Sequence, residues 1–135
     1  MNDRIDFEKL AKTVCLQYPK INLVILYGSF AEGKETAKSD IDLAIASSLA
    51  ISAEDRVEIA LAVSKMTDRE VDVIDLNRAN GVLLREILIK GKVLLKNDSE
   101  IYHQLLKKHL YYQADFMPLL NMILTKRRKK FIHES

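Results

Sequence analysis

A chain of 135 residues is long enough to bury one hydrophobic core and too short for two. Its 48% hydrophobic and 30% charged residues are the balance of an ordinary globular protein, and no apolar run approaches the roughly twenty residues of a membrane span. Cys15 is the only cysteine, which excludes an intramolecular disulfide and a cysteine-built zinc cluster. The net charge of +2 is unevenly spread. Residues 101–135 hold seven Lys/Arg against Asp115 and Glu134, a net +5, so residues 1–100 carry −3. Asp3, Arg4, Asp6 and Glu8 interrupt any secretory leader, and the expected location is cytoplasmic.

Asp6 to Gln17 sets Phe7, Leu10, Ala11 and Val14 at helical spacing, and Pro19 closes the pattern. Cys15 falls inside it and reads as a buried, inert thiol. Ile21 to Tyr27 is an apolar run, the mark of a buried strand. Gly28 and Ser29 break it, and Phe30 to Gly33 reads as one helical turn capped by Ser29. A helix start at that point aims backbone N–H groups at an anion.

Asp40-Ile41-Asp42 then opens a second strand, Ile41 to Ala46. Strand side chains alternate between faces, so Asp40 and Asp42 point the same way. Two carboxylates that close repel each other unless a cation lies between them. Hard oxygen donors of this kind suit Mg²⁺, commonly held by one or two carboxylates plus substrate phosphates. The Gly-Ser turn brings N–H groups and a hydroxyl up to such phosphates. The residues alone outline a metal-dependent nucleotide site.

A helix follows over about Ala53 to Met66, with Val57, Ile59, Ala60, Leu61 and Val63 as a broad buried face. Ser52 is its cap, and Asp55 completes a variant capping box. The third strand, Val71 to Leu76, puts Val71 and Val73 on one face and Asp72 and Ile74 on the other. An acid inside an apolar strand is costly unless it is paired or binds a metal. Asp75, near the strand end, is assigned to the following turn. Ala79 to Lys90 reads as a helix burying Val82, Leu83, Ile87 and Leu88, with Gly91 as the residue after its end. Gly91 to Leu95 is a short last strand.

From Ser99 to about Phe131 the pattern is one long helix or two, capped by Asp98 or Ser99 and interrupted at Pro118. Ile101, Leu105, Tyr112, Phe116, Leu119 and Ile123 form an apolar stripe that Leu106, Leu110 and Met117 widen. One small sheet needs less cover than this, which points to a partner protein or a second copy. Folding back onto the sheet is the alternative. Lys126 to Lys130 is a run of five cations, read as a solvated tail or a contact to RNA or an acidic partner. It has no interleaved aromatics, so base stacking is unsupported and direct nucleic-acid binding is not expected. His103, His109 and His133 have no metal-ligand spacing with the aspartates.

Gly28-Ser29, ten residues, then Asp40-Ile41-Asp42 resembles the GS-x10-DxD signature of the nucleotidyltransferase superfamily related to DNA polymerase β. The short chain and the later VDVIDL are similar to its minimal nucleotidyltransferase (MNT) branch, over residues 5–95 most closely. The resemblance implies an α/β (α+β) fold, a small mixed sheet flanked by helices. Residues 1–97 would form the core, and 98–135 a helical extension with a basic tail in the same domain. It implies Asp40, Asp42 and Asp72 as catalytic metal ligands, with Asp72 also the general base. Gly28, Ser29, Lys38 and Ser39 would contact the nucleotide, with ATP as substrate and two Mg²⁺ ions.

Members of this branch are commonly antitoxins of HEPN-domain ribonuclease toxins. The resemblance therefore implies transfer of AMP from ATP to a hydroxyl of such a toxin, a tyrosine above all, with the toxin held by the C-terminal helices. Two other readings stand beside it. One is an antitoxin that blocks its toxin by binding alone, and the other a stand-alone transferase acting on a small hydroxyl compound such as an aminoglycoside. A homo-oligomer is open in each. Glu32 departs from the pattern, since many relatives read GSxARG where this sequence has GSFAEG. Lys34 and Lys38 are the nearby cations that can take the place of the missing one.

Overall fold

Each of the four strands follows from an apolar run bounded by residues that stop it. The computed structural model describes residues 5–79, 81–110 and 122–126. In chain order the elements are α1 (Phe7–Gln17), β1 (Ile21–Tyr27), α2 (Ser29–Glu32), β2 (Ile41–Ser47), α3 (Ala53–Thr67), β3 (Val71–Asp75), α4 (Gly81–Lys90), β4 (Lys92–Lys96) and α5 (Ser99–Leu110). Residues 122–126 are helical again. No helix among the described residues is long and apolar enough to cross a membrane.

The strands form one sheet in the order β3-β2-β1-β4. β1 runs antiparallel to β2 and β4, and β2 pairs parallel with β3. The expected small mixed sheet flanked by helices is the fold found. The connections explain the pairing. β1 and β2 join through the short segment containing α2, whereas the parallel β2–β3 pair needs a crossover, which α3 supplies.

Both faces of the sheet are buried, which is why β1 reads as nearly continuous apolar sequence. On one face Val24, Leu26, Leu43, Ile45 and Val73 meet Leu10, Ala11 and Val14 of α1 and Ile59 and Val63 of α3. On the other Leu23, Ile25, Ala44 and Ala46 meet Leu84, Ile87 and Leu88 of α4 and Ile101, Tyr102, Leu105 and Leu106 of α5. Each such Leu or Ile contributes about 1.5–3 kcal/mol relative to exposure. Gly91 permits the turn into β4 because a methyl there would lie 2.5 Å from the Ile87 carbonyl oxygen and 2.6 Å from Ile25 Cγ2.

Local signals set the helix starts. Asp6 accepts the Lys9 amide at 3.0 Å. Ser52 and Asp55 form the reciprocal capping box at the head of α3, the Ser52 hydroxyl accepting the Asp55 amide at 2.9 Å. Asp98, as one of two candidates, caps α5 by accepting the Glu100 amide. Three expectations need correction. The short α2 begins at Ser29 with Gly28 in the cap position, not Ser29. The buried face of α3 is narrow: Ile59 and Val63 are buried, but Val57 and Leu61 are 58% and 57% exposed. In α4, Val82 and Leu83 are 76% and 45% exposed, and Leu84 takes the core position.

Ile101, Leu105 and Ile123 of the C-terminal stripe fold back into the core of their own sheet, joined by Tyr102 and Leu106. For these residues the alternative reading holds, and no partner is needed to cover them. Tyr112, Phe116, Met117, Pro118 and Leu119, His133 and the cationic run beyond Lys126 lie outside the described residues, as do the side chains of His109 and Leu110. Cys15 is half-buried, its Sγ 3.6 Å from the Ile21 carbonyl oxygen, and burial raises its pKa.

Candidate functional site

The register of the sheet brings the acidic residues together. Asp42 is paired with Tyr27 across the antiparallel β1–β2 ladder and with Asp72 across the parallel β2–β3 ladder. Residues opposite one another on paired strands share a face. Tyr27, Asp42 and Asp72 therefore project from the α4–α5 side of the sheet, continuing the rows of Ile25, Ala44 and Ile74 past the edge of the core. Asp40, two residues before Asp42, extends the same row into solvent. The sequence pattern placed Asp40 and Asp42 on one face, and the register adds Asp72 to them.

Electrostatics report the crowding. The Asp42 carboxyl is pushed above its usual range, first by burial and then by the charges of Asp72 and Asp40. The Tyr27 hydroxyl is also pushed up, by burial first, then by the charges of Asp72 and Asp42 and by a hydrogen bond to Asp72. Like charges held this close carry an energetic cost that a bound cation relieves.

Gly28 packs against this group. Its φ of +75° is one that side-chain-bearing residues rarely adopt, and a methyl on it would sit 2.2 Å from Asp42 Oδ2. The backbone at Gly28 thus lies directly against the carboxylate. The Gly28 carbonyl accepts the Ala31 and Glu32 amides at 3.1 and 3.2 Å, and the Lys34 amide bonds the Ser29 carbonyl at 2.9 Å, closing a single tight turn. Ser29 is half-buried at its start.

Lys38 and Ser39 sit in the loop that leads to Asp40. The Thr36 amide donates to Ser39 Oγ at 2.7 Å, the Ser39 amide donates to the Thr36 carbonyl at 3.1 Å, and the Lys38 amide approaches Thr36 Oγ1 at 3.3 Å. The Ser39 hydroxyl thus holds its own loop. Lys38 is exposed, and Lys34 lies 3.8 Å from Glu32, the residue that departs from the family pattern. Asp75 is buried, and its Oδ1 accepts the Asn77 amide at 2.9 Å, the turn-supporting role expected of it.

Two neighbours of the site carry no motif. Tyr27 could have been read from alternation, being the last β1 residue and opposite Asp42. Arg69, just before β3, donates from Nη1 to the Thr36 and Ser39 carbonyls at 3.2 and 2.8 Å. Its guanidinium lies 4.9 Å from the centre of the Phe30 ring. Nothing in the local sequence announces these contacts.

Among the described residues no group of three or more His, Cys, Asp or Glu forms a protein-only metal centre. Mg²⁺ usually keeps several waters and is bound through one or two carboxylates together with substrate phosphates. Asp42 and Asp72, register-paired and mutually repelling, with Asp40 beside them, are donors that fit such an ion. The arrangement offers oxygen ligands on one side and the close-packed Gly28-Ser29 turn on the other.

Residues 8–100 match the family described as polymerase beta, nucleotidyltransferase. The chain is similar to protein adenylyltransferase MntA of Shewanella oneidensis, 25% identical over 130 residues and covering 94% of each chain. Among solved structures it resembles a toxin–antitoxin structure with AMP-PNP, at a TM-score of 0.68 and 24% identity, covering 87% of this chain and 98% of the other. It also resembles a structure of a tri-AMPylated Shewanella oneidensis HEPN toxin in complex with MNT antitoxin, at a TM-score of 0.61 and 21% identity, covering 94% of both chains. At such identities the structural likenesses show a shared fold.

Proposed function

The chain belongs to the polymerase beta nucleotidyltransferase family, and from that premise we propose that it is a protein adenylyltransferase and an antitoxin. It transfers AMP from ATP to a hydroxyl, a tyrosine above all, of a HEPN-type ribonuclease toxin and so silences it. The observation that carries the reading is the register match of Asp42 with Asp72 beside Asp40, against a glycine turn with no room for a side chain. The likeness to MntA over 94% of both chains supports the acceptor class.

In this reading Asp40, Asp42 and Asp72 hold Mg²⁺, two ions in the full complement. Bound there, the metal supplies charge neutralisation to the triphosphate and the departing pyrophosphate. Gly28 and Ser29 cradle the outer phosphates through backbone N–H and hydroxyl, with Lys38 and Ser39 at the rim. Asp72 orients the acceptor hydroxyl and takes its proton. The acceptor oxygen bonds to the α-phosphorus as the bond from that phosphorus to the pyrophosphate oxygen breaks. Positioning and charge supply most of the rate in transfers of this kind. Residues 1–97 form the catalytic core, the segment 98–135 holds the toxin, and the reaction takes place in the cytoplasm.

The test is adenylylation with labelled ATP and Mg²⁺, using the product of the neighbouring gene as acceptor. Wild type is compared with Asp40→Asn/Asp42→Asn. Label on the partner, lost in the double variant, supports the reading. An unlabelled partner that both proteins still neutralise leaves an antitoxin acting by binding alone. Label found on an aminoglycoside and not on the partner replaces the acceptor class.

A further inference from the structure

The two halves of the site come from different strands and must be held in register by something other than the carboxylates, which repel. We infer that Arg69 is the positioning residue that does this, a clamp fixing the loop of residues 34–40 and the α2 turn against the start of β3. The inference rests on the adenylyltransferase reading for its catalytic consequence, but the clamp itself is visible in the geometry.

Three contacts carry it. Arg69 Nη1 donates to the carbonyls of Thr36 and Ser39, the two residues whose own hydrogen bonds close the loop. The Ser39 carbonyl belongs to the peptide immediately before Asp40, so fixing it fixes the Asp40 backbone. The guanidinium plane also lies over Phe30, the residue after Ser29, and Phe30 packs edge-on against Phe7 of α1 with centroids 5.7 Å apart. One side chain thus touches the segment carrying Ser29 and the segment carrying Asp40.

Arg69 also stands three residues before Asp72, and its neighbour Glu70 accepts the Ile41 amide at 2.9 Å. A shift at Arg69 is therefore passed to all three carboxylates. The residue type matters. One nitrogen, Nη1, serves both carbonyls while the rest of the flat guanidinium lies over the ring, and it is this second contact that the compact, strongly hydrated ammonium of lysine does not reproduce. Charge-assisted bonds to carbonyls are stronger than neutral ones.

The test compares wild type with Arg69→Met, Arg69→Lys and Phe30→Leu in two measurements. The first is amide hydrogen exchange of the metal-free protein. In Arg69→Met the amides of residues 36–41 are expected to exchange about tenfold faster while the β1 amides keep their protection. The second is AMP transfer at saturating ATP. Here kcat is expected to fall about 10- to 100-fold, the upper figure being the cost of a misplacement of about 1 Å, with the Mg²⁺ requirement raised and Arg69→Lys intermediate. Phe30→Leu, which leaves the hydrogen bonds in place, shows the smaller effect in both and serves if Arg69→Met does not fold.

Exchange in the loop within about twofold of wild type overturns the clamp, as does faster exchange spread evenly over the whole sheet. Faster loop exchange with an undiminished kcat overturns its positioning role. Wild type that transfers no AMP defeats the adenylyltransferase reading alone, because the exchange measurement still decides the clamp.

Discussion

At the end of the sheet where β1 begins and β2 finishes, polar groups find partners. Lys20 lies 2.9 Å from Asp55 and 3.1 Å from the Ala50 carbonyl. The Ser47 hydroxyl donates to the Lys20 carbonyl, the Asn77 side chain to the Ser47 carbonyl, and the Asn97 amide to the Asn22 carbonyl. At the opposite end Asp40, Asp42 and Asp72 are gathered, and Asp42 is held above its usual pKa, first by burial and then by the charges of the other two. The same four strands serve both ends, so the difference lies in the side chains. One end settles its charges internally, and the other leaves them for a ligand to settle. Polar groups in unresolved conflict are expected where a protein does chemistry.

The contrast breaks most visibly if the conflict is removed. Asp42→Asn is expected to lower AMP transfer on the order of 10³-fold while raising the melting temperature of the metal-free protein. Scanning calorimetry beside the labelled-ATP assay checks both, and a lower melting temperature would show that the carboxylates are not in conflict. Gly28→Ala comes next. Its methyl has no place beside Asp42 Oδ2, and a backbone conformation that only glycine adopts readily costs a further 1–3 kcal/mol or so. Loss of nucleotide binding by titration calorimetry is the expected outcome, with activity down on the order of 10²-fold.

Away from the conflict, substitutions should change stability alone. Gly91→Ala crowds Ile87 and Ile25 and is expected to cost about 1–3 kcal/mol in urea unfolding, with kcat per folded molecule unchanged. Ser52→Ala removes the α3 cap for about 1 kcal/mol and is silent in the transfer assay. The smallest effect concerns acid. Asp55 is held below its usual 3.8, first by the hydrogen bond from Lys20 and then by the Ser52 backbone. A carboxyl with a depressed folded pKa stabilises above its unfolded value and loses that contribution as pH falls through the folded one. Asp55→Asn should therefore flatten the loss of stability below about pH 4, read from melting temperatures across an acid series.

The strands were legible because apolar runs ended by Gly28, Asp68-Arg69 or Gly91 leave little choice of boundary. β1 matches its reading residue for residue, β2 and β3 differ by one residue at their ends, and β4 is shifted by one at both ends. Helix faces were harder. In α3 the apolar residues outnumber the positions that a narrow i, i+4 stripe of Ile59 and Val63 can bury. Spacing alone does not say which residues win. In α4 the later start at Gly81 selects Leu84 over Leu83.

At the site, the Gly-Ser and Asp-x-Asp pairs stand out because their chemistry is written in residue types. Arg69 escaped notice because its partners are backbone carbonyls about thirty residues away, which any sequence could supply. Tyr27 closes an apolar run, where alternation gives its face but only the ladder gives its partner, Asp42.

β3 is an outermost strand of the sheet, and an outermost strand offers unpaired backbone groups to any other chain that can align with it. Its sequence, Val-Asp-Val-Ile-Asp, would be among the stickiest in the molecule but for the exposed carboxylate of Asp72. A charge in mid-strand is a common guard against edge-to-edge aggregation. By this argument Asp72 guards the open edge of the sheet, and Asp72→Val is expected to yield a protein prone to self-association, read as a rise in light scattering.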